Sequence, residues 1–210
     1  MKVTALTCSS CGASLHPPQD KNTFVCSYCG SLLKIEGCSE IPNYLVKSDD
    51  EPAAREELPE VALADFASSP LRESPRGVVS LLFRALIHLP QNWDDAFSAL
   101  QYVLAKPTLE EHETTRLCRQ LTSSPHITLS YLGGTPESGY EVSPMLTPHF
   151  VESACTLTDD GKTKLYIQSS GRKYASKLLM KKNKAGHWKI FEWSDLGIGV
   201  TPAKNEEVDF

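Results

Sequence analysis

Four of the seven cysteines fall in two tight pairs near the start of the 210-residue chain: Cys8 with Cys11, then Cys26 with Cys29, in the spacing C-x2-C-x14-C-x2-C. Two residues between thiols let one tight turn aim both sulfurs at a single point. Two such turns supply four thiolates, the tetrahedral donor set that Zn²⁺ prefers. Gly12 and Gly30 follow the pairs directly, and glycine there opens turn conformations that bring backbone N–H groups toward the sulfurs. Residues 7–15 and 25–33 also align as an internal repeat, cysteine on cysteine and glycine on glycine. The spacing and the repeat predict one structural Zn²⁺ per chain, held by Cys8, Cys11, Cys26 and Cys29. Four thiolates leave no open coordination position, so no catalysis at the metal is expected. A thioredoxin-type CxxC needs a βαβ surround, which two copies separated by a short hairpin do not supply.

The elements needed to place these ligands are small. Pro17-Pro18 and Asp20-Lys21-Asn22 read as a loop, and Thr23 to Val25 as a strand entering the second pair. The segment resembles the zinc-ribbon family found at the N-termini of many bacterial proteins, with its C-x-x-C-G-A-x-L and C-x-Y-C-G-S patterns. The likeness covers residues 7 to about 35. The spacer is shorter than in most ribbons, and serine stands where proline often follows the first cysteine of a pair; neither departure removes a ligand. His16 reads as a loop residue. Cys38, Cys118 and Cys155 lie outside the pattern and read as small buried hydrophobes.

Beyond the ribbon, composition sets the bounds. The chain carries a formal net charge of −5 and is 40% hydrophobic and 22% charged, an ordinary globular balance that argues against a dedicated nucleic-acid binder. The longest apolar stretch, Val78 to Leu89, is interrupted by Ser80, Arg84 and His88, so no membrane span is expected. No apolar leader precedes the first cysteines, which points to a cytoplasmic protein with reduced thiols. Residues 37–74 are rich in proline, serine and acids, and read as an acidic linker with room for a short helix from Pro59 to Ala67. Residues 75–200 read as a second domain, and 201–210 as a tail.

That second domain is expected to open with helices: one from Pro75 capped by Ser74 and stopped by Pro90, one over Asp94–Ala105 capped by Asn92, one over Thr108–Leu121. Strands are expected over Ile127–Leu132, Tyr140–Ser143, Phe150–Thr158, Lys164–Ser169, Tyr174–Lys182 and His187–Trp193, divided by glycine-bearing turns. Helices first and a curled antiparallel sheet after make an α+β domain. The order of elements, with Ser74-Pro75, the acidic-aromatic Trp93–Phe97 and the closing Trp188–Trp193 strand, resembles the cone-shaped α+β superfamily of ketosteroid isomerase, scytalone dehydratase and nuclear transport factor. That resemblance implies a sheet wrapped around a pocket for a ligand, a substrate or a partner. The ionisable candidates for such a pocket, Glu141, His149, Glu152 and Glu192, show no catalytic spacing. The aromatics Tyr166, Tyr174, Trp188, Phe191 and Trp193 suit a core or a pocket wall.

Charge is unevenly spread. Residues 162–193 carry nine lysines and arginines against one glutamate. Arg172, Lys173, Lys177, Lys181, Lys182, Lys184 and Lys189 form a candidate basic surface, whose plain role is to keep hairpin ends soluble and unpaired. The sequence therefore reads as a non-enzymatic, zinc-binding interaction protein that joins a ribbon to a cone-like domain and binds a protein partner. The alternatives are a nucleic-acid binder using the ribbon and the hairpins of residues 162–189, and a cone domain that binds or transforms a small molecule.

Overall fold

The computed structural model describes residues 6–7, 14–15, 23–25, 32–34, 55–151, 156–157 and 161–204. The chain divides into two compact units, Met1–Pro42 and Asn43–Phe210. In the first, β1 (Leu6–Thr7) pairs antiparallel with β2 (Ser14–Leu15), and β3 (Thr23–Val25) with β4 (Leu32–Lys34). The pairs Thr7↔Ser14 and Val25↔Leu32 close the two hairpins. Each therefore encloses six residues, 8–13 and 26–31, with cysteine at the first and fourth positions of both segments.

The second unit begins earlier than expected. Residues 55–74, read from the sequence as linker, are built into the domain: Leu58 and Phe66 belong to its core. Leu58 N–H donates to the Met145 carbonyl at 2.8 Å, and Thr147 N–H to the Glu56 carbonyl at 2.8 Å. The guanidinium of Arg84 donates to the Pro59 and Leu58 carbonyls at 2.8 and 3.0 Å. The expected helix over Pro59–Ala67 is only a 3-10 turn, Leu63–Asp65. The prolines that suggested a tether instead punctuate a strap that the core holds by its few apolar residues.

Helix α1 (Pro75–His88) starts as its sequence requires, with Pro75 in the first turn and Ser74 Oγ accepting from Gly77 N–H at 3.0 Å. Nine of its residues are buried, making it the central helix. The second expected helix is shorter: α2 (Trp93–Ala99), capped by Asn92, gives way to a 3-10 turn at Leu100–Tyr102. The third is split at Glu111 into α3 (Lys106–Glu110) and α4 (His112–Ser123). The expected strand Ile127–Leu132 is helix α5 (Pro125–Tyr131), and Tyr140–Ser143 is a turn.

The sheet forms a meander. Strands β7 (Lys162–Gln168), β8 (Ser176–Lys182) and β9 (Trp188–Glu192) pair antiparallel in chain order. Two short strands, β5 (His149–Phe150) and β6 (Thr156–Leu157), both pair with β7, where one strand over Phe150–Thr158 was expected. The result is an α+β domain. Leu165, Ile167, Leu178, Met180, Trp188 and Ile190 face the helices and join Val79, Leu82, Phe83 and Leu86 of α1 in one core. Among the described residues, no helix is long and apolar enough to cross a membrane.

Candidate functional site

Alternation along the strands turns every second residue of β7, β8 and β9 away from the helices. On that outer face, register sets Lys162 opposite Lys181, and Lys181 opposite Lys189. Directly opposed residues of antiparallel strands share a face, and like charges there repel. Three adjacent strands thus carry a transverse row of three lysines.

A second segment completes the site. Ile190 N–H donates to the Val103 carbonyl at 2.9 Å, and Ala105 N–H to the Ile190 carbonyl at 2.8 Å. These bonds lay residues 103–105 along the outer edge of β9, next to the lysine row. Between them lies a cleft of about 430 Å³, within the size range of small-molecule sites. Leu104, Ala105 and Phe191 form its apolar wall, Gln101 and Asn183 add neutral polar groups, and the remaining lining residues are Lys106, Lys162, Lys181, Lys182 and Lys189. Among the described residues no carboxylate lines it. Lys181 and Lys182 are exposed. The Lys182 ammonium lies 5.5 Å from the centre of the Trp188 ring, and that of Lys162 lies 5.9 Å from the centre of Phe191.

Lys189 is half-buried, and its ammonium donates to the Gln101 carbonyl at 2.5 Å. Burial, and then the positive charge of Arg72, push its pKa down from 10.5 to about 8. Arg72, on the 3-10 turn Pro70–Glu73, is only 9% exposed. Its guanidinium bonds the Ala67 carbonyl, meets His187 Nδ1 at 3.0 Å and lies over the Tyr102 ring, while its Nε–H has no partner. Among the described residues, no carboxylate pairs with this buried cation.

The candidate basic surface is consequently smaller than its sequence. Arg172 is turned inward, pairing with Asp195 at 3.1 Å and donating to Ser176 Oγ at 2.6 Å. Lys177 is paired with Glu192 at 2.9 Å. Lys189 is half-buried in the cleft. Lys173, Lys181, Lys182 and Lys184 are the exposed members. Sequence reasoning left Lys106 and Arg72 out of the cluster, and counted Lys162 in the basic stretch of residues 162–193 without placing it among the candidate surface residues. The Lys181–Lys189 pairing was readable from Asn183 to His187, since a turn there sets 181 against 189. The approach of Lys106 and Arg72 from distant segments had no such signal.

The other candidates separate. Glu141 is exposed in a turn, His149 is half-buried on β5 opposite Gln168, and Glu192 is held by Lys177. Trp188 and Trp193 are core residues, Tyr166 packs with Val151 and Ala175, and Tyr174 is half-buried beneath the Lys173 ammonium. Phe191 alone of these aromatics lines the cleft. Cys118 is a buried free thiol whose pKa burial raises to about 12, an inert position as expected. Cys8, Cys11, Cys26, Cys29, Cys38, Cys155 and Glu152 lie outside the described residues.

A family model, that of a domain of unknown function (DUF6935), matches residues 52–204. No curated protein and no solved structure matches the chain.

Proposed function

The chain belongs to the DUF6935 family, whose description assigns no activity, and we propose that it is a zinc-ribbon interaction protein: a binding module rather than an enzyme. Cys8, Cys11, Cys26 and Cys29 hold one structural Zn²⁺, and the ribbon presents a surface to a protein partner while residues 55–204 form the larger α+β domain. One observation carries this reading. The two hairpins, β1–β2 and β3–β4, enclose segments of equal length with cysteines at equal positions, as two facing metal-binding turns require. The metal supplies folding energy that a unit of about 40 residues cannot draw from a core. The meander that follows the helices supports the cone-like reading of the second domain, with the cytoplasm as its compartment.

The test is metal content together with one substitution. Protein purified in reducing, chelator-free buffer should carry one zinc per chain, and Cys26→Ser should lose both the zinc and any protein partner enriched with the wild type. A folded but zinc-free N-terminal unit would falsify the metal assignment. A chemical activity that survives in the wild type and vanishes in Cys26→Ser, with the ribbon still folded, would overturn the non-enzymatic reading.

A further inference from the structure

The lysine cleft calls for an explanation that the ribbon does not give. Five lysines line it and no carboxylate among the described residues does; Lys106 is paired with Glu110 at 3.6 Å, while Lys181 and Lys189 stand in direct cross-strand register. Behind Lys189 lies the buried guanidinium of Arg72, with its Nε–H unpartnered. Burying a cation without a carboxylate partner is costly, and setting the Lys181 and Lys189 side chains opposite one another across two strands adds to that cost. A fold retains such a cluster at least cost when an anion enters it. The site is also more than a charged surface, because Leu104 is buried beneath it and Ala105 and Phe191 make an apolar wall.

We propose that the cleft between the lysine row of β7–β9 and the 101–106 segment binds a small organic phosphate of nucleotide size, with phosphate oxygens on Lys181, Lys182 and Lys189 and the apolar part of the ligand against Ala105 and Phe191. Several point charges around a small volume suit the spread charge of a di- or triphosphate, which lysine ammonium groups meet without a fixed geometry. A long nucleic acid fits less well. The chain's net charge of −5 opposes a polyanion that runs past the cleft, whereas a small anion feels mainly the charges within a screening length of about 8 Å. The cleft draws only on the second unit and does not depend on the zinc assignment.

The experiment is calorimetric titration of the full-length protein with ADP, with inorganic pyrophosphate and with a twelve-nucleotide single-stranded DNA. ADP should bind more tightly than pyrophosphate. Lys181→Ala/Lys182→Ala should weaken both by tenfold or more, and Phe191→Ala should weaken ADP several-fold while leaving pyrophosphate nearly unchanged. Lys184→Ala, which removes an exposed charge outside the cleft, should change neither. Lys181 and Lys182 are exposed, so their replacement should leave thermal unfolding in place, and a matching melt confirms that the loss is local. No binding of ADP or pyrophosphate at millimolar concentration overturns the proposal, as does binding that the double variant leaves intact. Equal affinity for ADP and pyrophosphate removes the organic part of the ligand. An oligonucleotide that binds more tightly than ADP, with a steep salt dependence, replaces the small ligand by a nucleic acid.

Discussion

Lys189 and Asp195 show opposite ways of holding a charge in this domain. Lys189 is faced by Arg72 from the 3-10 turn, by Lys181 on β8 with Lys162 beyond it on β7, and by the Gln101 carbonyl, which favours its charged form. Its folded pKa of about 8 lies below the unfolded value, so the unfolded chain binds more protons between those two values. Stability therefore rises with pH across that window, and the cost of the charge is fully present below it. Lys189→Met should gain on the wild type near pH 7 by no more than about 1 kcal/mol, because the group is half-exposed and screened. The advantage should fade toward pH 10. Denaturant melts of both proteins at pH 7 and pH 10 check this, and a constant difference would detach the shift from Lys189. Asp195 is instead fully used: its carboxylate takes the Arg172 guanidinium at 3.1 Å and the Lys177 N–H at 2.9 Å. Its backbone carbonyl takes Arg172 again, beside a buried Tyr131–Ser176 hydroxyl pair. Asp195→Asn keeps the shape but leaves Arg172 without its counter-charge, at an expected cost of about 2–3 kcal/mol, to be read as a lower urea midpoint with an unchanged slope.

At the scale of elements, the start of α1 is the most constrained join. A Cβ on Gly77 would meet the Leu71 carbonyl oxygen at 2.2 Å, because the 3-10 turn Pro70–Glu73 lies directly on the first helical turn. Gly77→Ala raises helix propensity by about 1 kcal/mol, but backbone cannot move aside as a flexible side chain can. The substitution should destabilise by about 1–3 kcal/mol net, seen as a lower melting temperature; an unchanged or higher one would mean the turn yields. Elements of this kind also mark what could be read from sequence. Ser74-Pro75, Asn92 and the Lys184–Gly186 turn were legible because the residues at those joints make the hydrogen bonds or backbone angles themselves: Ser74 and Asn92 cap their helices, and Gly186 has φ +81°. The three long strands were legible from alternation, to within two residues at either end. Helix α5 was misread because seven residues with two β-branched members carry no decisive period. What makes it a helix lies elsewhere in the chain: Tyr131 Oη meets Ser176 Oγ at 2.6 Å, and Ser169 Oγ–H donates to Ser130 Oγ at 2.7 Å. The cleft was half legible for a related reason. Its β8–β9 lysines are neighbours across one turn, while Leu104 and Lys106 arrive through backbone bonds to Ile190 that no local pattern announces.

For the molecule as a whole, the residues before α1 decide where the folded domain begins. Leu58 is 4% and Phe66 0% exposed, and burial of each such side chain is worth about 1.5–3 kcal/mol. Removing them would also strip the Arg84 guanidinium of both its carbonyl acceptors and the Met145 carbonyl of the Leu58 N–H, each loss costing about 1–3 kcal/mol. Against a total stability of about 5–15 kcal/mol for an ordinary domain, a chain shortened to 75–210 should not hold a cooperative fold. A chain shortened to 52–210 keeps the whole strap and discards the N-terminal unit. It should melt in one transition at the temperature shown by the same domain in the full-length Cys26→Ser protein. Limited proteolysis should agree, cutting the intact chain before residue 55 and sparing 55–74, although that stretch has the prolines and acids of a linker. A stable, cooperative 75–210 fragment would return the strap to the status of a tether. A 52–210 fragment that melts well below the domain in the full-length protein would mean that the two units stabilise each other.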